Sequence, residues 1–225
     1  MPSYQLLSLD IWDTILRRDC HPDAIKVETA AVLLERHGEE LQEAYRTPRA
    51  LFRLRQDIER QLGAAKKAQG FDDEYAIQDV FRELLARAYR EPLPEAAAEE
   101  LAARLVAEEL AAEKRHVYLD PGIEAKIDSI PHERLVCISD FYADEAFLKE
   151  LIEATGFSKP LERVLVSCDF GVNKRSGRLF EEAEKLLGVT PAAHMHLGDN
   201  AYSDVEVPKR LGIAAERYLP AEEHK

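Results

Sequence analysis

Asp10 ends a short apolar run, Tyr4-Gln5-Leu6-Leu7-Ser8-Leu9, and opens the segment Ile11-Trp12-Asp13-Thr14. The run has the length and composition of a strand buried in a sheet. In open α/β sheets, ligands bind at the carboxyl ends of strands. A carboxylate in that place serves as a nucleophile, a metal ligand or both; otherwise it caps the turn that follows. More acidic groups stand near the C-terminus. His194-Met195-His196-Leu197 reads as another buried strand running into Gly198-Asp199-Asn200, with Asp204 a short turn further on. Gly198 permits a tight turn and close backbone approach, so Asp199 and Asp204 can face one point. Three converging carboxylates repel one another unless a cation lies between them. Hard oxygen donors of this kind suit Mg²⁺, which keeps several waters and bridges to phosphate.

Two further pieces accompany the acids. Leu135-Val136-Cys137-Ile138 reads as a third buried strand and ends in Ser139-Asp140. Lys174 sits in Gly171-Val172-Asn173-Lys174-Arg175-Ser176-Gly177, just before a helical run from Leu179 to Leu187. A lysine there supplies a point charge for an anion.

Strand-Asp, strand-Ser, loop-Lys and strand-Gly-Asp followed by Asp204, in that order, resembles the four motifs of the haloacid dehalogenase superfamily of hydrolases, from about Leu7 to about Ile213. Order and spacing carry the resemblance, because each motif alone is weak. It implies an α/β fold: a Rossmann-like parallel sheet with helices on both faces, plus an inserted helical-bundle cap. It implies that Asp10 attacks a phosphoryl group and forms an aspartyl-phosphate. Ser139 would bond a phosphoryl oxygen, and Lys174 would neutralise Asp10 and the phosphate. Asp10, the backbone carbonyl of Trp12 and Asp199 would hold Mg²⁺, with Asp204 ligating directly or through water. Thr14, Arg17, Arg18 and Asp140 would lie beside the substrate.

The pattern departs from that family at Trp12, where the phosphatases carry the Asp that protonates the leaving oxygen. Such help is typically worth about 10²–10⁴-fold. Strand alternation predicts that Asp13 points to the other side. Three consequences follow: a leaving group that needs no proton, as in an acyl phosphate or phosphoanhydride; a proton from His21, Tyr142 or a cap residue; or a slow enzyme or low-turnover binder of a phosphorylated ligand. An aromatic residue here also resembles the dehalogenating members, which need no Mg²⁺. The acidic pair Asp199 and Asp204 favours phosphorus chemistry. A narrower resemblance, through Arg17-Arg18, Pro22-Asp23 and Ser139-Asp140-Phe141-Tyr142, is to a bacterial subgroup often associated with glycosyltransferases. It implies a sugar phosphate or nucleotide sugar as substrate.

The elements that position these residues follow from composition and period. The chain has 225 residues, 46% of them hydrophobic, enough for one α/β core plus an insertion. A net charge of −13 argues against nonspecific nucleic-acid binding and against anionic membrane surfaces. No apolar run reaches the length of a membrane span, and the opening run, broken by Asp10 and Asp13, does not read as a signal peptide. Three cysteines fit a reducing cytoplasm; Cys20 beside His21 offers a metal or nucleophile pair, or neither. The expected division is a catalytic core of 1–18 and 117–225 and a helical cap of 19–116. Within the cap, Pro22 opens a helix that Gly38 ends, Thr47-Pro48 opens a second, and residues 76–89 and 95–115 form two more. By resemblance the cap closes over the site and selects the substrate. Arg55 and Glu59, four apart, are placed to pair. In the core, helices are predicted over 122–130, 144–155, 176–187 and 205–211, with strands at 163–167 and 213–215. His194 and His196 are packed strand histidines, unless one touches the site. The sequence does not fix the oligomeric state.

Overall fold

The computed structural model describes residues 3–219. It divides into two compact units: the chain up to Arg17 together with the chain from Val117 onward, and Arg18–His116.

The first unit is built on a five-stranded sheet. Its strands are β1 (Tyr4–Leu9), β4 (His132–Ser139), β5 (Arg163–Val166), β6 (His194–Gly198) and β7 (Ala214–Arg217), in the order β5-β4-β1-β6-β7. All neighbours run parallel. Parallel strands need crossover connections. These contain α6 (Glu145–Ala154), α7 (Ser167–Phe170), α8 (Arg178–Leu187) and α9 (Val207–Arg210), while α5 (Ile123–Asp128) precedes β4. β1 lies between β4 and β6, so Leu6 to Leu9 are fully buried. That burial explains why the segment reads as a nearly continuous apolar run. On one face Leu6, Val136, Ile138 and Leu165 pack with Leu179, Phe180 and Ala183 of α8 and with Val207 and Ile213.

Register brings the strand ends together. Leu9 is level with Cys137 of β4 and with Leu197 of β6. Asp10 continues the ladder by donating its N–H to Leu197 O at 2.9 Å, which sets it beside the end of β6. The sequence reading misses a two-stranded ribbon of β2 (Leu16–Arg18) and β3 (Val117–Leu119). Three residues are too few to show a period.

The second unit holds α1 (Pro22–His37), α2 (Pro48–Ala68), α3 (Ile77–Ala88) and α4 (Glu95–His116), with α1 packed on α2 and α4, and α3 on the same two. Thr47 caps α2 by accepting from Ala50 N at 3.2 Å. α1 does stop at His37, but Gly38 is right-handed (φ −55°) and leads into a 3₁₀ turn, not a left-handed glycine cap. Arg55 and Glu59 pair at 2.9 Å. Glu59 also accepts from Lys26 Nζ at 2.8 Å, and the Arg55 guanidinium grips the fully buried Glu109.

Candidate active site

Lys174 is the hub. Its Nζ donates to Asp10 Oδ1 at 2.5 Å and to Asp204 Oδ1 at 2.7 Å. Lys174 is 3% exposed, Asp10 6% and Asp204 0%, so the ions are held in a medium where Coulomb forces are strong. The 171–177 loop delivers the lysine. Gly171 and Gly177 take left-handed φ values of 69° and 88°, which only glycine adopts without cost. Asp140 Oδ1 accepts from Lys174 N at 2.8 Å, and Asn173 Oδ1 accepts from Ser176 N at 2.9 Å. The helix predicted from Ser176 therefore starts at Arg178, because 174–177 is a turn that presents Lys174.

Asp204 comes from the turn after β6. Residues 201–206 form a π-helical turn, a rare geometry found often at functional sites. Asn200 caps it, its Oδ1 accepting from Tyr202 N at 2.9 Å and Ser203 N at 3.0 Å. Its own N–H donates to Asp204 Oδ2 at 2.9 Å. The close approach expected at Gly198 is to Asp204 itself. A Cβ on Gly198 would lie 2.6–2.7 Å from Asp204 Cγ, Cβ and Oδ2. Asp199 joins Asp10 and Asp204: one oxygen of each lies within 4.8 Å of the others.

The charges respond to one another. Burial raises the Asp10 carboxyl and Lys174 opposes it, leaving it above the ordinary carboxylate range. Burial also acts on Asp204, but Lys174 and His196 outweigh it and hold that carboxyl below the usual range. Burial, then repulsion from Asp204 and Asp13, pushes Asp199 up to about 6. Burial works against the Lys174 ammonium, yet Asp10, Asp204 and Asp140 keep it charged well above the ordinary lysine value.

Asp10, Trp12, Asp13, Asp140, Lys174, Asp199 and Asp204 line one cavity of about 480 Å³. Asp13 corrects the alternation argument. The chain after β1 is a turn, and Asp13 is the one non-glycine residue with positive φ (58°) among the described residues. It therefore faces the same cavity as Asp10, not the opposite side. The Trp12 ring packs tilted against Phe141 with centroids 5.1 Å apart, and Phe141 stacks on Tyr142 at 4.2 Å. Ser139 and Thr14 are fully buried near the strand ends, and their hydroxyls have no hydrogen-bond partner among the described residues. Buried hydroxyls are normally satisfied, so these two are suited to a ligand. Arg17 donates to Asp120 at 3.2 Å, and Arg18 grips Glu113 with bonds of 2.7 and 2.8 Å. Neither is on the cavity wall. His21 caps α1, accepting from Asp23 N at 3.1 Å. Cys20 instead groups with Asp19 and His116.

The sequence reading singled out neither Asn200 nor Ser8 for a role. Asn before a turn is a cap signal that could have found Asn200. Ser8 stands in an apolar strand and gives no local signal.

Fold and site together define a parallel α/β domain with an acid–lysine centre at its topological switch point. No protein-family model matches the chain. It is 30% identical over 135 residues to a phosphoserine phosphatase of Thermus thermophilus, a match covering 60% of this chain and 53% of that protein; the chain thus matches about half the length of this curated relative. A 2-haloacid dehalogenase structure from Pseudomonas syringae superposes with a TM-score of 0.67 at 18% identity, covering 96% of this chain and 86% of that one. A HAD family enzyme from Bacteroides thetaiotaomicron, an aspartate-to-alanine mutant in complex with magnesium and inorganic phosphate, gives 0.54 at 12% identity, covering 97% and 96%. The chain has the fold of the haloacid dehalogenase superfamily.

Proposed function

We propose that the chain is a haloacid dehalogenase superfamily hydrolase that transfers the phosphoryl group of a small phosphorylated metabolite to Asp10. The observation that carries this reading is Lys174 shared between Asp10 and Asp204, with Asp199 completing three carboxylates. In the first step a carboxylate oxygen of Asp10 forms a bond to phosphorus while the bond to the leaving oxygen breaks. In the second, water attacks phosphorus, and Asp10 and phosphate are released. Lys174 holds Asp10 in place and neutralises charge on the transferred group. Such chemistry depends mainly on positioning and electrostatic stabilisation. Ser139 and Thr14 supply hydroxyls with bonding capacity to spare.

The acidic group fits Mg²⁺. Its donors are hard oxygens, and Asp199 is raised by burial and then by its acidic neighbours, a repulsion that a cation relieves. Asp10, Asp199, Asp204 and the Trp12 carbonyl would hold the ion. When bound it would supply charge for the phosphoryl oxygens. Trp12 cannot protonate a leaving oxygen. Acyl phosphates and anhydrides need no such proton, and Asp13, exposed on the same cavity wall, is an acid open to the cavity. Sugar phosphates and nucleotide sugars follow from the sequence resemblance. Cys20, Cys137 and Cys168 are all free thiols. No helix among the described residues is long and apolar enough to cross a membrane.

A second reading has its own observation. The Trp12–Phe141–Tyr142 aromatic cluster, whose Trp12 lines the cavity with Asp10, offers an apolar wall suited to carbon–halogen displacement. The deciding experiment is phosphate release from sugar phosphates, nucleotide sugars and acyl phosphates, with and without Mg²⁺, beside Asp10→Asn. Release that needs both Mg²⁺ and Asp10 supports the proposal. Halide release from 2-haloacids without phosphate release replaces it with the second reading.

A further inference from the structure

Behind Asp204 runs a buried polar chain that the proposed chemistry does not use. Asp204 Oδ1 is 3.3 Å from His196 Nε2. His196 Nδ1 is 2.7 Å from Ser8 Oγ, and the same oxygen is 2.7 Å from His194 Nε2. His194 Nδ1 is 3.1 Å from Glu184 Oε1. Ser8, His194, His196 and Asp204 are all 0% exposed. The geometry follows from register. Ser8 of β1 is level with His196 of β6, and Leu6 with His194, so both rings and the hydroxyl share one face of the sheet. Phe180 packs edge-on against His196 at 4.9 Å, and Glu184 comes one helical turn later on α8.

Counting protons fixes the direction of this chain. Carboxylates only accept, so Asp204 calls for a proton on His196 Nε2 and Glu184 for one on His194 Nδ1. With both rings neutral, the two inner nitrogens would then be bare. Ser8 has one hydroxyl proton and can satisfy only one of them; the other would face an oxygen lone pair at 2.7 Å. The chain closes only with one further proton. Placed on His196, that proton would set a second cation beside Lys174 Nζ on the same Asp204 oxygen. Placed at the far end, within the His194–Glu184 pair, it lies away from Lys174. Every bond then points one way: His194 Nε2–H to Ser8, Ser8 O–H to His196 Nδ1, and His196 Nε2–H to Asp204.

We infer that Glu184, His194 and Ser8 are positioning residues that fix the Nε2–H tautomer of His196 and thereby hold Asp204 toward Lys174 and a bound cation. This rests on the reading of Asp204 as part of a cation-holding site and adds the residues that orient it. Groups behind a metal ligand of this kind typically tune affinity by about 10–100-fold. A buried network is also costly when half satisfied, so each member matters.

The test uses the full chain with ¹⁵N-labelled histidine, free of metal, and MgCl₂ titrated by calorimetry. In the wild type, His196 should carry its proton on Nε2 with Nδ1 bare, and His194 should carry a proton on Nε2. Glu184→Gln offers an amide N–H to His194 Nδ1, so the chain closes with two neutral rings. There His194 should keep its Nε2 proton, His196 should be unchanged, and Mg²⁺ affinity should be preserved. Ser8→Ala breaks the chain; His196 should lose its single tautomer and the Mg²⁺ dissociation constant should rise by about 10–100-fold. If Ser8→Ala does not fold, the ring states of Glu184→Gln decide. A wild-type His196 protonated on Nδ1, a wild-type His194 bare at Nε2, or unchanged Mg²⁺ affinity in folded Ser8→Ala would overturn the inference. Absence of Mg²⁺ binding in a wild type with the expected ring states would refute the metal reading of the site while supporting the chain's hold on Asp204.

Discussion

Replacing Lys174 with methionine keeps the side chain's length and removes its charge, leaving Asp10 and Asp204 buried without their shared cation. Each carboxylate lies 2.5–2.7 Å from Nζ, a contact worth roughly 6 kcal/mol before desolvation at an effective dielectric of about 20. Desolvation cancels much of that, and breaking a buried pair costs about 3–5 kcal/mol net. For a chain of this size each kcal/mol moves the melting temperature by about 2–4 °C, so Lys174→Met should melt roughly 6–20 °C below the wild type without metal. Trp12, the single tryptophan and part of the site, reports the core's transition by fluorescence. The pH dependence has a defined sign. Asp10 is already raised by burial, with Lys174 as the main opposing influence; the variant raises it further. A carboxyl raised in the folded state contributes stability below its unfolded pKa and loses it as pH rises through the folded value. The deficit of Lys174→Met should therefore grow from acid toward about pH 9, and Mg²⁺ should stabilise the variant more than the wild type. Equal melting temperatures of the two proteins near pH 9 would refute the reasoning.

Mg²⁺ affinity should fall as pH drops below about 6, because the Asp199 carboxyl is pushed up to about 6 and a bound proton competes with the ion. Calorimetric titrations should show up to about a tenfold loss per pH unit from this group; a flat profile would contradict its role as a ligand. Gly198→Ala places a methyl group 2.6–2.7 Å from three Asp204 atoms, so it should cost about 1–3 kcal/mol in thermal unfolding and weaken Mg²⁺ binding as Asp204 turns away. In the helical unit, Arg55→Met removes the guanidinium that grips the fully buried Glu109 and should cost about 3–5 kcal/mol in chemical denaturation. A loss below about 1 kcal/mol would mean that Glu109 is compensated from elsewhere.

Much of the core was legible because its signals are local. The strand ending at Asp10 and the one ending at Gly198 are short apolar runs with turn residues behind them, and both are strands in the structure. The long helices of the second unit announce themselves by period and by caps such as Thr47. Alternation does not reach Asp13 because it holds only inside a strand: β1 ends at Leu9, and Asp10 makes the last ladder bond before the turn. The association of Ser8 with two histidines depends on the pairing of β1 with β6, nearly the whole chain apart. No local pattern encodes such a pairing. Arg17 and Arg18 carried a charge signal that did not reveal their partners, Asp120 and Glu113, a hundred residues away.

The central claim is that Asp10 becomes covalently phosphorylated. The most direct test is to quench the enzyme during turnover with the best substrate of the phosphate-release panel and to map the adduct by peptide mass spectrometry. A phosphoryl group on Asp10, formed with Mg²⁺ and absent from Asp10→Asn, is the predicted result. An alkyl ester on Asp10, or phosphate release with the adduct on another residue, would contradict it.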